Sequence, residues 1–217
     1  MERVISLAVG YLFGLFQTAY IYGKMNGIDI REHGSGNAGS TNALRVLGKK
    51  AGVIVLLGDV AKTVLAVAAV RLLFGRQDTD WLPLLGLYAA AGAILGHNFP
   101  VHLGFKGGKG IACTAGLVLT LGPIVTALEA STFLLTVLLT GYVSLGSILV
   151  VVELVILLVV LGQTGYYGMS QGHLIEFYAV CAVLSAMAIY RHRANIVRLL
   201  HGTENKILKK KNKEVEK

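Results

Sequence analysis

Apolar runs of about 20 residues recur along this chain, and a bilayer core of roughly 30 Å needs about 20 helical residues to cross it. They cover residues 4–22, 51–74, 81–95, 123–140, 144–161 and 173–190, with a shorter run at 111–121. With every backbone group to be satisfied inside lipid, such runs can only be helices. The sequence therefore predicts an all-α integral membrane protein, a bundle of about seven transmembrane helices. The first run could be a signal peptide, but Glu2 and Arg3 cancel and no A-x-A pattern follows. It reads as a retained span. Residues 1–208 form a single transmembrane domain, and 209–217 a basic C-terminal tail. Glycine numbers 27, where average usage near 7% would give about 15. An excess in an apolar chain points to close helix packing or tight turns.

Charge placement gives orientation. Of the 20 Lys and Arg, only Arg3, Lys62, Arg71 and Arg76 lie outside residues 24–50, 106–109 and 191–217. By the positive-inside rule those three regions face the cytoplasm. Two spans separate the first region from the second. Four separate the second from the third, provided that 111–163 makes three crossings. Gly122-Pro123 and Gly141–Gly146 are the breaks that allow it. No basic region is interleaved with aromatics, so no nucleic-acid partner is expected; membrane lipid is the surrounding partner. Lys209–Lys213 suit a surface anchor on anionic lipid. The sequence sets no oligomeric state.

The cytoplasmic regions carry three polar, glycine-rich motifs. The first is Gly34-Ser35-Gly36-Asn37-Ala38-Gly39-Ser40-Thr41-Asn42, followed by Arg45 and Gly48. Glycines let successive amides converge on an anion. Thr41 or Asn42 is expected to cap a short helix ending at Gly48, with Arg45 one turn on to fork a phosphate. The second runs from Gly96-His97-Asn98-Phe99-Pro100 to Gly104-Phe105-Lys106-Gly107-Gly108-Lys109-Gly110. It lacks the spacing of a nucleotide-binding Walker loop, which needs Gly at 103 and Ser or Thr at 110. Its bare amides and two ammonium groups still suit an anion. In the third, Arg191-His192-Arg193-Ala194-Asn195-Ile196-Val197-Arg198-Leu199, the residues His192, Asn195 and Leu199 share a helical face. A neutral His192 could serve as general base, and a charged His192 could bind an anion.

Asp59 and Lys62 pair at i,i+3 inside a span and read as structural glue, while Glu129, Glu153 and Glu176 are expected to face inward. Cys113 and Cys181 form no C-x-x-C pair, no histidine cluster has ligand spacing, and no G-x-S-x-G elbow is present. No metal or cofactor is expected.

The stretches GSGNAGSTNALRVLG, GHNFPVHLGFKGGKG and YRHRANIVRLLHGTE resemble the motifs of the bacterial acyl-phosphate:glycerol-3-phosphate acyltransferases. Asp59-x-x-Lys62 and Tyr142-Val143-Ser144-Leu145 match further features of that family. The likeness runs along nearly the whole chain. It departs at Ser40, where Ala is usual, at His102, where an aromatic or Leu is common, and at Cys113, where Thr is frequent. The resemblance implies acyl transfer from acyl phosphate to the first hydroxyl of glycerol 3-phosphate. Products would be lysophosphatidic acid and phosphate, in the first step of phospholipid synthesis, at the cytoplasmic face of a bacterial plasma membrane. It implies catalytic roles for Ser35, Lys109 and His192. Substrate binding would fall to Gly36, Asn37, Thr41, Asn42, Arg45, Lys106, Gly107, Gly108, Gly110, Asn195 and Arg198. An organic-phosphate transporter or a lipid-binding scaffold would also want basic glycine loops, but no internal repeat supports a transporter.

Overall fold

The computed structural model describes residues 1–75 and 80–207. Among them there are helices and no strands: α1 (Glu2–Gly14), α2 (Thr18–Met25), α3 (Ser40–Leu47), α4 (Lys49–Phe74), α5 (Leu82–Asn98), α6 (Ile111–Leu121), α7 (Pro123–Thr140), α8 (Val143–Gln163), α9 (Gln171–Arg191) and α10 (Arg193–Leu200). Six segments are long and apolar enough to cross a membrane, the first combining α1 and α2. The seventh, α6, has 11 residues and a rise of about 16 Å, half a bilayer core. It can be short because the polar chain before it folds back into the bundle. Glycine with φ of +85° at Gly110 starts α6 there, and Gly122-Pro123 turns directly into α7. The tail from 209 lies outside the described residues.

The expected continuous first span is instead broken at Leu15–Gln17. The freed carbonyls are not left bare. Phe16 O accepts from Lys62 Nζ at 2.9 Å, and Gly14 O from Gln17 Nε2 at 3.0 Å. Gln17 Nε2 also lies within 3.1 Å of Gly96 O and 3.3 Å of His97 O. A single amide in an apolar span thus stitches the break to the end of α5.

Helix α5 is the centre of the bundle, buried along most of its length. Its hold on α1 is backbone against backbone. A methyl on Gly10 would lie 1.9 Å from Ala89 O, and one on Gly92 would lie 2.1 Å from Leu7 O. Gly10-xxx-Gly14 and Gly92-xxx-Gly96 therefore form one small-residue seam, the close packing that the glycine excess suggests. Leu84, Leu85, Leu87, Leu117, Leu154, Leu158 and Phe177 fill the core beside it. Helix α7 lies outermost, with Leu134, Leu135, Leu138 and Leu139 exposed on its outer surface.

Contacts between loops define the two ends of the bundle. At one, Arg31 Nη1 donates to Leu103 O (3.2 Å), Arg45 Nη2 to Asn205 O (3.4 Å) and Ile207 N to Gly141 O (2.9 Å). All three motifs and the Gly141-Tyr142 turn meet there. At the other end Ser170 N donates to Asp80 Oδ2 (3.0 Å), Arg71 Nη2 donates to Thr120 O (2.9 Å), and Trp81 stacks on His173. Of the three acidic residues expected to face inward, Glu129 is buried, and Glu153 and Glu176 are half-buried, Glu176 being paired with Arg3 at 2.5 Å.

Candidate active site

The first motif is a loop organised by one side chain. Asn42 Oδ1 accepts from Ser35 N (2.9 Å), while Nδ2 donates to Ile30 O (3.1 Å) and His33 O (2.9 Å). Asn42 is 1% exposed, so these contacts take up an amide that the sequence places among the ligand contacts. The cap expected from Thr41 or Asn42 falls on Gly39, whose extended backbone precedes α3 and offers no side-chain acceptor. The first amides of α3 thus have no capping side chain to satisfy them. Ser35, Gly36 and Arg45 are exposed, and Asn37 and Thr41 half-buried. Nearby, the Asp29–Arg31 pair at 2.7 Å holds the Asp29 carboxyl well below its usual range and anchors the loop base.

The second motif lies directly on the end of α5. Gly107 N donates to Asn98 O (3.2 Å) and Gly108 N to His97 O (3.1 Å). A methyl on Gly108 would meet His97 Nε2 at 2.1 Å, so only glycine permits this approach. The outward carbonyls of Gly107 and Gly108 both accept from Arg191 Nη2, at 3.2 and 2.6 Å. Lys106 points to solvent. Lys109 turns inward and donates to Asn195 Oδ1.

From Asn195 a polar chain continues: Nδ2 donates to Glu204 Oε1 (3.0 Å), and Arg198 Nε pairs with Glu204 Oε2 (2.7 Å). Glu204 was not among the expected site residues. Its signal was its place at the end of the third motif, beside Gly202-Thr203. His192 is the hinge between α9 and α10, and with Asn195 it faces inward, as the helical spacing predicts. Its Nδ1 lies 2.8 Å from Ala188 O. A carbonyl can only accept, so Nδ1 carries the proton and Nε2 keeps its lone pair. Burial, then the nearby Lys109 charge, pushes the His192 pKa down to about 4. Burial, then Arg198, pushes Lys109 down to about 8.

Asp59 and Lys62 pair as expected, but the pair does not stand alone. Lys62 Nζ lies 2.8 Å from Asp59 Oδ1 and 2.9 Å from His97 Nδ1, which ties the intramembrane pair to the second motif. Asp59, His97 and Cys113 bring possible ligand atoms within 4.8 Å of one another. The ammonium of Lys62 already stands among them and repels a metal ion there.

What these residues define is a cluster of cations held by neutral oxygens beside a buried neutral imidazole with a free lone pair, at one end of a membrane-spanning bundle. The loop amides of Gly107 and Gly108, expected to be bare, are instead taken up by carbonyls of α5. Comparison with known proteins fixes the particular case. The sequence profile of the glycerol-3-phosphate acyltransferase family matches residues 4–202, and the chain belongs to that family. It is 43% identical over 210 residues to the glycerol-3-phosphate acyltransferase of Clostridioides difficile (strain 630), covering 96% of this chain and 97% of that one. The same-named protein of Halalkalibacterium halodurans is 42% identical over 215 residues, covering 97% and 98%. Among solved structures it is similar to PlsY (YgiH), an integral membrane glycerol 3-phosphate acyltransferase. The glycerol 3-phosphate form gives a TM-score of 0.81 at 33% identity, covering 96% of both chains. The lysophosphatidic acid form gives 0.76 at 34%, covering 95% of both.

Proposed function

We propose that this acyltransferase takes its acyl group from an acyl phosphate and delivers it to the 1-hydroxyl of glycerol 3-phosphate. One observation carries the reading: Lys109, Arg191 and Arg45 spend their hydrogen bonds on neutral oxygens, so their positive charge is left for anions. Both proposed substrates bring phosphate, and the family relatives are named for glycerol 3-phosphate. Ser35, Gly36, Asn37, Thr41 and Arg45 hold one phosphate, in a loop that Asn42 shapes. Lys109 and Gly110 hold the acyl phosphate, in a turn that Gly107 and Gly108 shape through their bonds to the end of α5 and to Arg191, with Lys106 at the rim. Asn195 and Arg198 complete the glycerol 3-phosphate side.

The hydroxyl oxygen attacks the acyl carbon and the bond from that carbon to the phosphate oxygen breaks. Ester and inorganic phosphate are formed. The hydroxyl proton passes to His192 Nε2. Lys109 stabilises the oxyanion and the departing phosphate. An acyl phosphate is already activated, so no acyl-enzyme is needed. The basic loops belong at the cytoplasmic face of a bacterial plasma membrane.

Purified protein given acyl phosphate and glycerol 3-phosphate in detergent, with no gradient, is expected to release phosphate and form lysophosphatidic acid. Turnover with an acyl thioester but not acyl phosphate would overturn the donor assignment. Absence of any turnover would favour transport or lipid binding.

A further inference from the structure

The buried Lys62 ammonium has three N–H groups and no lone pair. Its neighbours are Asp59 Oδ1 at 2.8 Å, Phe16 O at 2.9 Å and His97 Nδ1 at 2.9 Å. The carboxylate and the carbonyl can only accept. Nδ1 must then accept as well, which leaves the ring proton on Nε2. An imidazolium would turn an N–H against the ammonium.

Among the described residues Nε2 makes no hydrogen bond, and it opens on the gap beside Gly108. A methyl on Gly108 would sit 2.1 Å from it and 2.8 Å from Ala38 O, so the ring edge and that carbonyl flank one small gap. Ala38 belongs to the first motif, is 1% exposed, and has a carbonyl that needs a donor. A carbonyl oxygen disfavours an anion at that point and favours an N–H.

We infer that Asp59 and Lys62 are positioning residues that act through His97, fixing its Nε2–H tautomer so that a donor, not an acceptor, faces the Ala38 carbonyl of the first loop across the gap beside Gly108. The effect on catalysis rests on the reading of the two loops as the substrate cradle; the tautomer does not.

Protein labelled with 15N-histidine gives the tautomer directly by NMR, with the His97 signals identified by their loss in His97→Gln. The expected spectrum has Nδ1 bare and Nε2 protonated, and Lys62→Met mixes the two tautomers. Kinetics add a second readout. Glutamine keeps an N–H near the Nε2 position, whereas asparagine reaches only to Nδ1. His97→Asn is expected to raise the KM for glycerol 3-phosphate about tenfold, the scale of one buried hydrogen bond, with kcat changed far less. His97→Gln should stay within about threefold of wild type on the same scale. A wild-type Nδ1–H or imidazolium signal would overturn the inference, and so would equal KM values for the two variants. If the tautomer is as expected but the protein never turns over, the functional reading fails and the tautomer assignment stands.

Discussion

Both ends of the bundle carry charge, but they use it differently. At the end formed by Trp81, Ser170 and His173, Arg3 meets a carboxylate, Glu176, and His173 reaches Asp80, while Arg71 bonds to the Thr120 carbonyl. At the motif end, Lys109 bonds to an amide oxygen, Arg191 to two carbonyls and Arg45 to another. A neutral acceptor satisfies the N–H without cancelling the charge. The Arg3–Glu176 pair is a brace, as Asp29–Arg31 is at the base of the first motif, whereas Lys109, Arg191 and Arg45 keep charge that the proposed function assigns to anions. Arg198 is the intermediate case, tied to a buried Glu204 that also orients Asn195.

Variants at the two ends sharpen that contrast. His192→Gln removes the lone pair held by the Ala188 bond, and kcat is expected to fall about 1,000-fold while the folded state persists. Circular dichroism and a single-turnover assay check the two halves of that statement. Lys109→Ala takes away the inward ammonium and should lower kcat/KM by several hundredfold, on the order of an oxyanion donor's loss. Full turnover by Lys109→Ala would break the comparison at its strongest point. Gly108→Ala pushes a methyl into His97 and Ala38, and the displaced loop should cost about a hundredfold in kcat/KM.

Acidity separates the two groups without mutation. Lys109 carries its charge below about pH 8 in the empty site and loses it as pH rises. The kcat/KM profile should therefore bend downward above about pH 8, by about tenfold for each further unit. His192, with its pKa near 4, stays neutral from pH 5 upward and adds no bend in that window. The smallest effect belongs to the brace. Glu176→Gln breaks a half-buried pair and should change unfolding stability by about 1 kcal/mol or less, with turnover unchanged. A large loss of activity there would erase the distinction between the ends.

Much of this could be read in the chain itself, for identifiable reasons. Span length, the lysine and arginine bias and the glycine-rich motifs are local patterns, and they place all three motifs at one end. His192 and Asn195 follow from helical spacing. What stayed hidden depends on distant partners. The break at Leu15–Gln17 makes sense only once Lys62 and the end of α5 supply bonds to its carbonyls. Asp59 and Lys62 look like isolated glue until His97 arrives beside them. Asn42 looks like a ligand contact until the carbonyls of Ile30 and His33 claim it. The short α6 is legible as a segment, but not the inward fold of loop that lets so short a helix suffice.

The seam between α1 and α5 bears on how the protein is made. Gln17 reaches acceptors 79 and 80 residues further along the chain. A ribosome delivers the first helix to the membrane long before those acceptors exist. Until they emerge, that amide and the gap at Phe16 must be satisfied by water or lipid head groups near the bilayer surface. The first helix settles to its final depth only as its partner follows it in, so biogenesis has an order that the finished bundle no longer displays.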